Sequence, residues 1–157
     1  MLLKNNPFIS IPQYKYGAIP FNEIKLEHYL PALDHAISEA KKRITFIKNN
    51  TEHPTFDNTI LALDNASELM ETISNVYFNL MGAESDNTFK ELAQQISPKL
   101  SAYKNKVLLD SKLFNRVKTL SEKKDTANLT IEQKRLIEEK YMDFILNGAQ
   151  LNNKNKQ

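Results

Sequence analysis

The 157-residue chain contains no cysteine and no tryptophan, and it has only three glycines and three histidines. The missing cysteine excludes disulfides, thiolate catalysis and any Cys-ligated zinc site. Glycine occurs only at positions 17, 82 and 148, so no Gly-rich phosphate loop can be assembled. The same scarcity argues against a β-rich fold, whose tight hairpin turns draw heavily on glycine. No apolar run approaches the ~20 residues of a membrane span. Asn5, Asn6 and Pro7 interrupt the first residues before a signal-peptide core could form. These absences set the expectation of a cytoplasmic protein, or a periplasmic one where a signal peptide has been removed.

What remains is rich in helix formers. Apolar residues at 41% and charged residues at 25% lie in the ordinary globular range, and the length suffices for one domain with its own core. Leu26, Leu30, Leu33, Ile37, Ala40, Ile44 and Ile47 recur in alternating steps of four and three, which predicts a helix over 26–49. A polar turn to Pro54 follows. Thr55 is placed to cap a second helix by accepting from the amide of Asp57 or Asn58, and it runs to about Gly82. Its stripe is Ala62, Ala66, Leu69, Ile73, Val76 and Leu80, widened by Leu63, Met70 and Tyr77. A face that broad needs partners on more than one side.

Residues 84–88 make the next turn, and a third helix spans about 88–108 through Phe89, Leu92, Ile96, Leu100, Tyr103 and Val107. Pro98 lies within that stripe without breaking its phase, which predicts a kink rather than two helices. Asp110 caps a shorter fourth helix with Leu113, Phe114, Val117 and Leu120, and 121–129 form a loop. Thr130 and Gln133 have capping-box spacing ahead of a fifth helix that ends near Asn147, with Gly148 as a left-handed terminator. Before all of these, Pro7, Pro12 and Pro20 keep residues 1–25 out of regular helix. Phe8, Ile9, Ile11, Tyr14, Tyr16, Ile19 and Phe21 make that lead-in too apolar for a free tail.

Charge is uneven. Residues 1–98 carry 8 Lys/Arg and 12 Asp/Glu, a balance of −4, whereas residues 99–157 carry 13 and 7, a balance of +6. A basic half can bind nucleic acid or an acidic partner, or it can simply present solvated lysines. The second half has only Arg116 and Arg135 as arginines and no aromatic platform, which makes nucleic acid the weaker reading.

Side chains able to do chemistry are dispersed. His28 and His35 are two helical turns apart, about 10 Å between Cα atoms, and neither has the i±3 or i±4 partner of a metalloprotease helix. His53 precedes Pro54 in a turn. The densest carboxylates, Glu138, Glu139 and Asp143, fit a solvated helix face, and no serine stands in a nucleophile elbow. No catalytic, cofactor-binding or metal-binding residue is assigned.

Several strings nevertheless occur in a specific order: Asn6-Pro7-Phe8, residues 19–25 (IPFNEIK), residues 27–32 (EHYLPA), residues 54–60 (PTFDNTI) and residues 76–80 (VYFNL). They continue with residues 96–100 (ISPKL), 113–117 (LFNRV) and 141–144 (YMDF), then Gly148-Ala149 and Leu151. In these strings the chain resembles the amino-terminal region of thimet-oligopeptidase-like zinc metallopeptidases, most of all the bacterial peptidyl-dipeptidase (dipeptidyl carboxypeptidase) and oligopeptidase A branch. The resemblance implies a parent enzyme of two helical halves around a channel that admits short peptides. In such an enzyme a His-Glu-x-x-His helix and a later glutamate hold zinc, and dipeptides leave from the carboxyl end. His-Glu-x-x-His occurs nowhere in this sequence. No cofactor is therefore expected in this chain, and zinc is expected in the full-length parent.

The expectation is an all-α fold of about five helices. The first three are long and bundle-like and follow an extended Pro-rich lead-in over 1–25; 26–151 form the helical amino-terminal domain and 152–157 a frayed polar end. The chain is read as a non-catalytic domain or fragment that helps wall the channel and is inactive alone. Its partners would be the missing catalytic half and, in the whole enzyme, short peptides, with no membrane and self-association through an exposed apolar patch. The alternative is a stand-alone helical protein-interaction module.

Overall fold

Side-chain periodicity and capping residues divide the chain into helices, and the computed structural model follows most of those divisions. It describes residue 3 and residues 5–9, 18–83, 86–124 and 128–150. All regular structure among them is helical. Ile11, Tyr14 and Tyr16 of the lead-in, residues 84–85 of the second turn, Leu151 and the end at 152–157 lie outside the described residues.

Helix α1 is Leu26–Asn49 and continues through Pro31. Leu33, Ile37, Ala40, Ile44 and Ile47 are buried along it, with Tyr29, Ala32 and Ala36 beside them. The second helical stretch departs from the uniform helix expected over 54–82. It opens as a π-helix, Phe56–Leu61, and passes through α2 (Ala62–Asp64) and a 3-10 turn, Asn65–Ser67. Only then does it settle into α3, Glu68–Ala83. Changing from i→i+5 to i→i+3 bonding rotates the phase away from a constant 3.6-residue count. The buried seam is Leu63, Ala66, Met70, Ile73 and Tyr77, with Val76, and it keeps steps of three and four, while Ala62, Leu69 and Leu80 are half-buried. Residues expected to widen the stripe form its centre.

Helix α4, Asn87–Leu108, stays one helix past Pro98 and buries Leu92, Ile96, Tyr103 and Leu108. Helix α5 is Ser111–Lys123, so it extends two residues further than Ser121, where the loop was expected to begin. Asp110 caps α5 by accepting from the amides of Lys112 at 3.0 Å and Leu113 at 3.1 Å. Helix α6, Ile131–Leu146, starts at the anticipated box: the Thr130 hydroxyl accepts from the Gln133 amide, and the Gln133 side chain accepts from the Thr130 amide at 3.0 Å. It ends in a Schellman motif. Gly148 has φ 86°, its amide donates to the Ile145 carbonyl, and the Ala149 amide donates to that of Phe144 at 2.9 Å.

The described residues divide into two compact units, 1–40 with 67–100 and 41–66 with 101–157. In the first, Tyr29 of α1, Tyr77 of α3 and Phe89 of α4 form a continuous aromatic series, and Lys99 of α4 pairs with Asp34 of α1 at 2.6 Å. In the second, α5 and α6 pack on each other and both pack on the π-helix around Ile60, Leu113, Val117, Ile137 and Phe144.

Helix ends yield the first prediction. Gly148→Ala should cost about 1 kcal/mol, because a β-carbon is strained at this left-handed position. Thr130→Ala should cost about 1 kcal/mol by stranding a cap donor. Urea unfolding of each variant checks this, and unchanged midpoints would remove the assigned roles.

Candidate functional site

In the first unit the most enclosed polar group is Asn6, which is fully buried. Asn-Pro is a turn-forming pair, and the Asn6 side chain closes the turn by accepting from the Phe8 amide at 3.1 Å. Its Nδ2 donates to the His28 carbonyl at 2.8 Å, tying the lead-in to the start of α1. Phe8 is delivered against Tyr29, centroid to centroid 5.1 Å, and Tyr29 lies 5.2 Å from Tyr77. The Tyr77 hydroxyl donates to the Phe89 carbonyl. Tyr29 Oη is buried without a partner among the described residues. Burial first, and then the neighbouring Tyr77 phenol, push the Tyr29 hydroxyl up to about 12. Burial likewise raises Tyr77. Phe21, by contrast, is 54% exposed, so the apolar lead-in is only partly covered.

The second unit is organised around Arg116, a guanidinium only 8% exposed. Its Nη1 donates to the carbonyls of Asn50 at 2.7 Å and Glu52 at 3.1 Å. Its Nη2 donates to Asn58 Oδ1 at 2.9 Å and Thr59 Oγ1 at 3.1 Å. Asn58 thereby serves three structures at once. Its Oδ1 also accepts from the Thr55 amide, and its Nδ2 donates to the His53 carbonyl at 3.0 Å. Burial lowers the pKa of Arg116, opposed by the nearby Glu52 carboxylate. Arg116 Nε is buried with no partner among the described residues.

The candidate chemical residues do not converge. His28 Nδ1 accepts from the Lys25 amide at 3.0 Å, and its Nε2 is 4.0 Å from Glu27 Oε1, so it finishes the first turn of α1. His35 lies half-buried on the same helix and His53 is exposed in the turn before the π-helix. Glu139 pairs with Arg135 at 3.2 Å and Glu138 with Lys124 at 3.4 Å; both are exposed partners of ordinary surface bridges. Among the described residues no three of His, Asp and Glu meet at metal-ligand spacing. Among the described residues no set fits the zinc that the resemblance implies. Part of the basic half is neutralised locally: Lys140 meets Asp64 at 2.6 Å, and Lys99 meets Asp34 at 2.6 Å.

Sequence reasoning passed over Asn6, Asn58 and Arg116 as polar sites. The available signal for Arg116 was position: it adjoins Leu113, Phe114 and Val117 on α5, where a solvated lysine would be out of place.

These features define an all-helical scaffold domain whose buried polar groups hold turns in place. The chain belongs to the neurolysin/thimet oligopeptidase N-terminal domain family, whose model matches residues 28–156. It is 33% identical to dipeptidyl carboxypeptidase of Escherichia coli K12 over 93% of its own length and 21% of that protein's. It is 31% identical to dipeptidyl carboxypeptidase of Salmonella typhimurium LT2, covering 98% of this chain and 23% of the relative. Oligopeptidase A of Haemophilus influenzae Rd is 28% identical over 98% of this chain and 22% of the relative. The chain thus spans about a fifth of the length of these relatives. No helix among the described residues is long and apolar enough to cross a membrane.

Two predictions follow from the clusters. Arg116→Ala should destabilise by about 3 kcal/mol through stranded acceptors, and Arg116→Lys should recover less than half, since an ammonium cannot span the same four acceptors. Equal stability of Arg116→Lys and the parent in urea would contradict the clamp. For Tyr29, the folded value of about 12 lies above the unfolded value near 10. Its contribution to stability is complete below pH 10 and is lost as pH rises toward 12. Tyr29→Phe removes the unpaired hydroxyl, so it should be neutral or stabilising by up to about 1 kcal/mol at pH 7. It should also lose less stability than the parent between pH 10 and 12, and a steeper alkaline loss would overturn the assignment.

Proposed function

We propose that this chain serves as the amino-terminal, non-catalytic helical domain of a zinc metallopeptidase that removes dipeptides from the carboxyl ends of short peptides. The observation that carries this reading is where the family strings fall. Asn6-Pro7-Phe8, Tyr29 and Tyr77 build one buried cluster, while Asn58, Thr59 and Arg116 build the other. None of them lines an assembly of acid, base and metal ligands. The matched relatives named dipeptidyl carboxypeptidase extend over roughly five times the matched length. In this reading zinc and its His-Glu-x-x-His helix belong to that remainder, and this domain contributes one wall of the peptide channel. The enzyme works in the cytoplasm, or in the periplasm where a leader has been removed.

Docking against the catalytic remainder gives a use to exposed apolar side chains, among them Phe46 at 77%, Ile131 at 82% and Leu146 at 76%. The same side chains support self-association when that remainder is absent, and they also suit a stand-alone interaction module.

The 157-residue protein, incubated with zinc and a fluorogenic peptide releasing a carboxyl-terminal dipeptide, should give no turnover. Mixing it with the remaining part of a dipeptidyl carboxypeptidase should yield a complex on size exclusion. Zinc-dependent hydrolysis by the homogeneous 157-residue protein alone would overturn the proposal.

A further inference from the structure

Within the second unit, the last turns of α1 and α4 enclose a recess of about 90 Å³ between Ile44 and Val107. A volume of that order holds roughly three waters at ~30 Å³ each, or one small tetrahedral ion. Three ammonium-bearing side chains border it, Lys41, Lys48 and Lys106, against a single carboxylate, Asp110. That carboxylate is already engaged. One of its oxygens accepts from Lys48 Nζ at 2.7 Å, and the other accepts the two amides that open α5, at 3.0 and 3.1 Å. Burial works to raise Asp110, yet the Lys48 contact and the two amides outweigh it and hold the group below its ordinary value. It therefore stays ionised and bound to Lys48.

After that pairing, Lys41 and Lys106 remain as two exposed positive charges at the edge of the recess. The Thr45 hydroxyl donates to the Lys41 carbonyl at 2.8 Å, so its proton is already committed and the lysines are left as the donors at the recess. Two lysines held beside an apolar-walled recess attract anions more strongly than the same charges on an open surface, because the walls exclude water from one side. A planar carboxylate offers two oxygens, whereas three separate ammonium groups are matched by an ion with oxygens in three directions.

We propose that this recess is a binding site for one small tetrahedral oxyanion of the inorganic phosphate class. Lys41 and Lys106 bind it directly, and Lys48 shares its charge between the ion and Asp110. The site is separate from the peptide chemistry proposed above, so it stands or falls independently of that reading.

Thermal unfolding of the 157-residue protein, titrated with inorganic phosphate against sodium chloride at matched ionic strength, tests it. Phosphate at ten times its Kd should raise the Tm by about 3–6 °C in a saturable manner. Lys41→Met with Lys106→Met should weaken phosphate binding at least tenfold, while Lys104→Met with Lys134→Met, which removes equal charge elsewhere on the unit, should leave it intact. Binding read directly from the phosphorus-31 line width keeps the test valid if a variant is less stable. An equal response to chloride, or the same loss of binding in both double variants, would reduce the effect to general charge screening and overturn the site.

Discussion

A guanidinium withdrawn from water needs acceptors for its donors, and Arg116 finds them for both terminal nitrogens, with Nε unpartnered among the described residues, by drawing three pieces of chain together. It takes the carbonyls of Asn50 and Glu52 from the turn after α1, and the side chains of Asn58 and Thr59 from the π-helix. The turn and the π-helix could each hold several local conformations alone. Bound to one planar fork, they are restricted to those that present four acceptors at once. Asn58 extends the constraint to the helix entry, since the oxygen that meets Arg116 also accepts from the Thr55 amide. In the same unit α5 and α6 pack on that π-helix.

The first unit solves a similar problem with less charge. A buried amide, Asn6, closes its own turn and reaches the α1 backbone at His28. Aromatic contacts from Phe8 through Tyr29 and Tyr77 to Phe89 then carry the packing across three helices. Such pairs are each worth about 0.5–1.5 kcal/mol beyond simple burial. In both units several residues of the family strings, among them Asn6, Tyr29, Tyr77, Asn58 and Arg116, close turns or centre clusters. This explains how a chain with no converging catalytic groups among its described residues can still carry a specific family signature. Its motifs record an architecture.

Much of that architecture was legible because it depends on local rules. The 26–49 stripe coincides with α1, and the Asp110 cap, the Thr130–Gln133 box and the Gly148 terminator all occur where local geometry demands them. The second helix was read less well. Its stripe was counted at a constant 3.6 residues, and neither the π-helix nor the 3-10 turn announces itself in side-chain spacing. Two neighbouring stripes in 62–80 are equally regular, so spacing alone does not say that the one through Leu63, Met70 and Tyr77 is the centre. Arg116 was hidden for a different reason. Its partners are 57 to 66 residues away in sequence, and the local signal is slight, a place beside Leu113, Phe114 and Val117 on α5. The histidines stand apart: His28 accepts from the Lys25 amide at the start of α1, His35 is half-buried further along it, and His53 is exposed in the following turn.

The proposal at the centre of this account is that these 157 residues are the architectural part of a zinc peptidase whose chemistry is encoded elsewhere in the same polypeptide. Reading the native transcript beyond the codon for Gln157 tests it most directly. The account predicts an open frame that continues for several hundred codons and encodes a His-Glu-x-x-His helix followed by a further glutamate. A stop codon directly after Gln157 in the native transcript would contradict it and leave a self-sufficient helical protein to be explained.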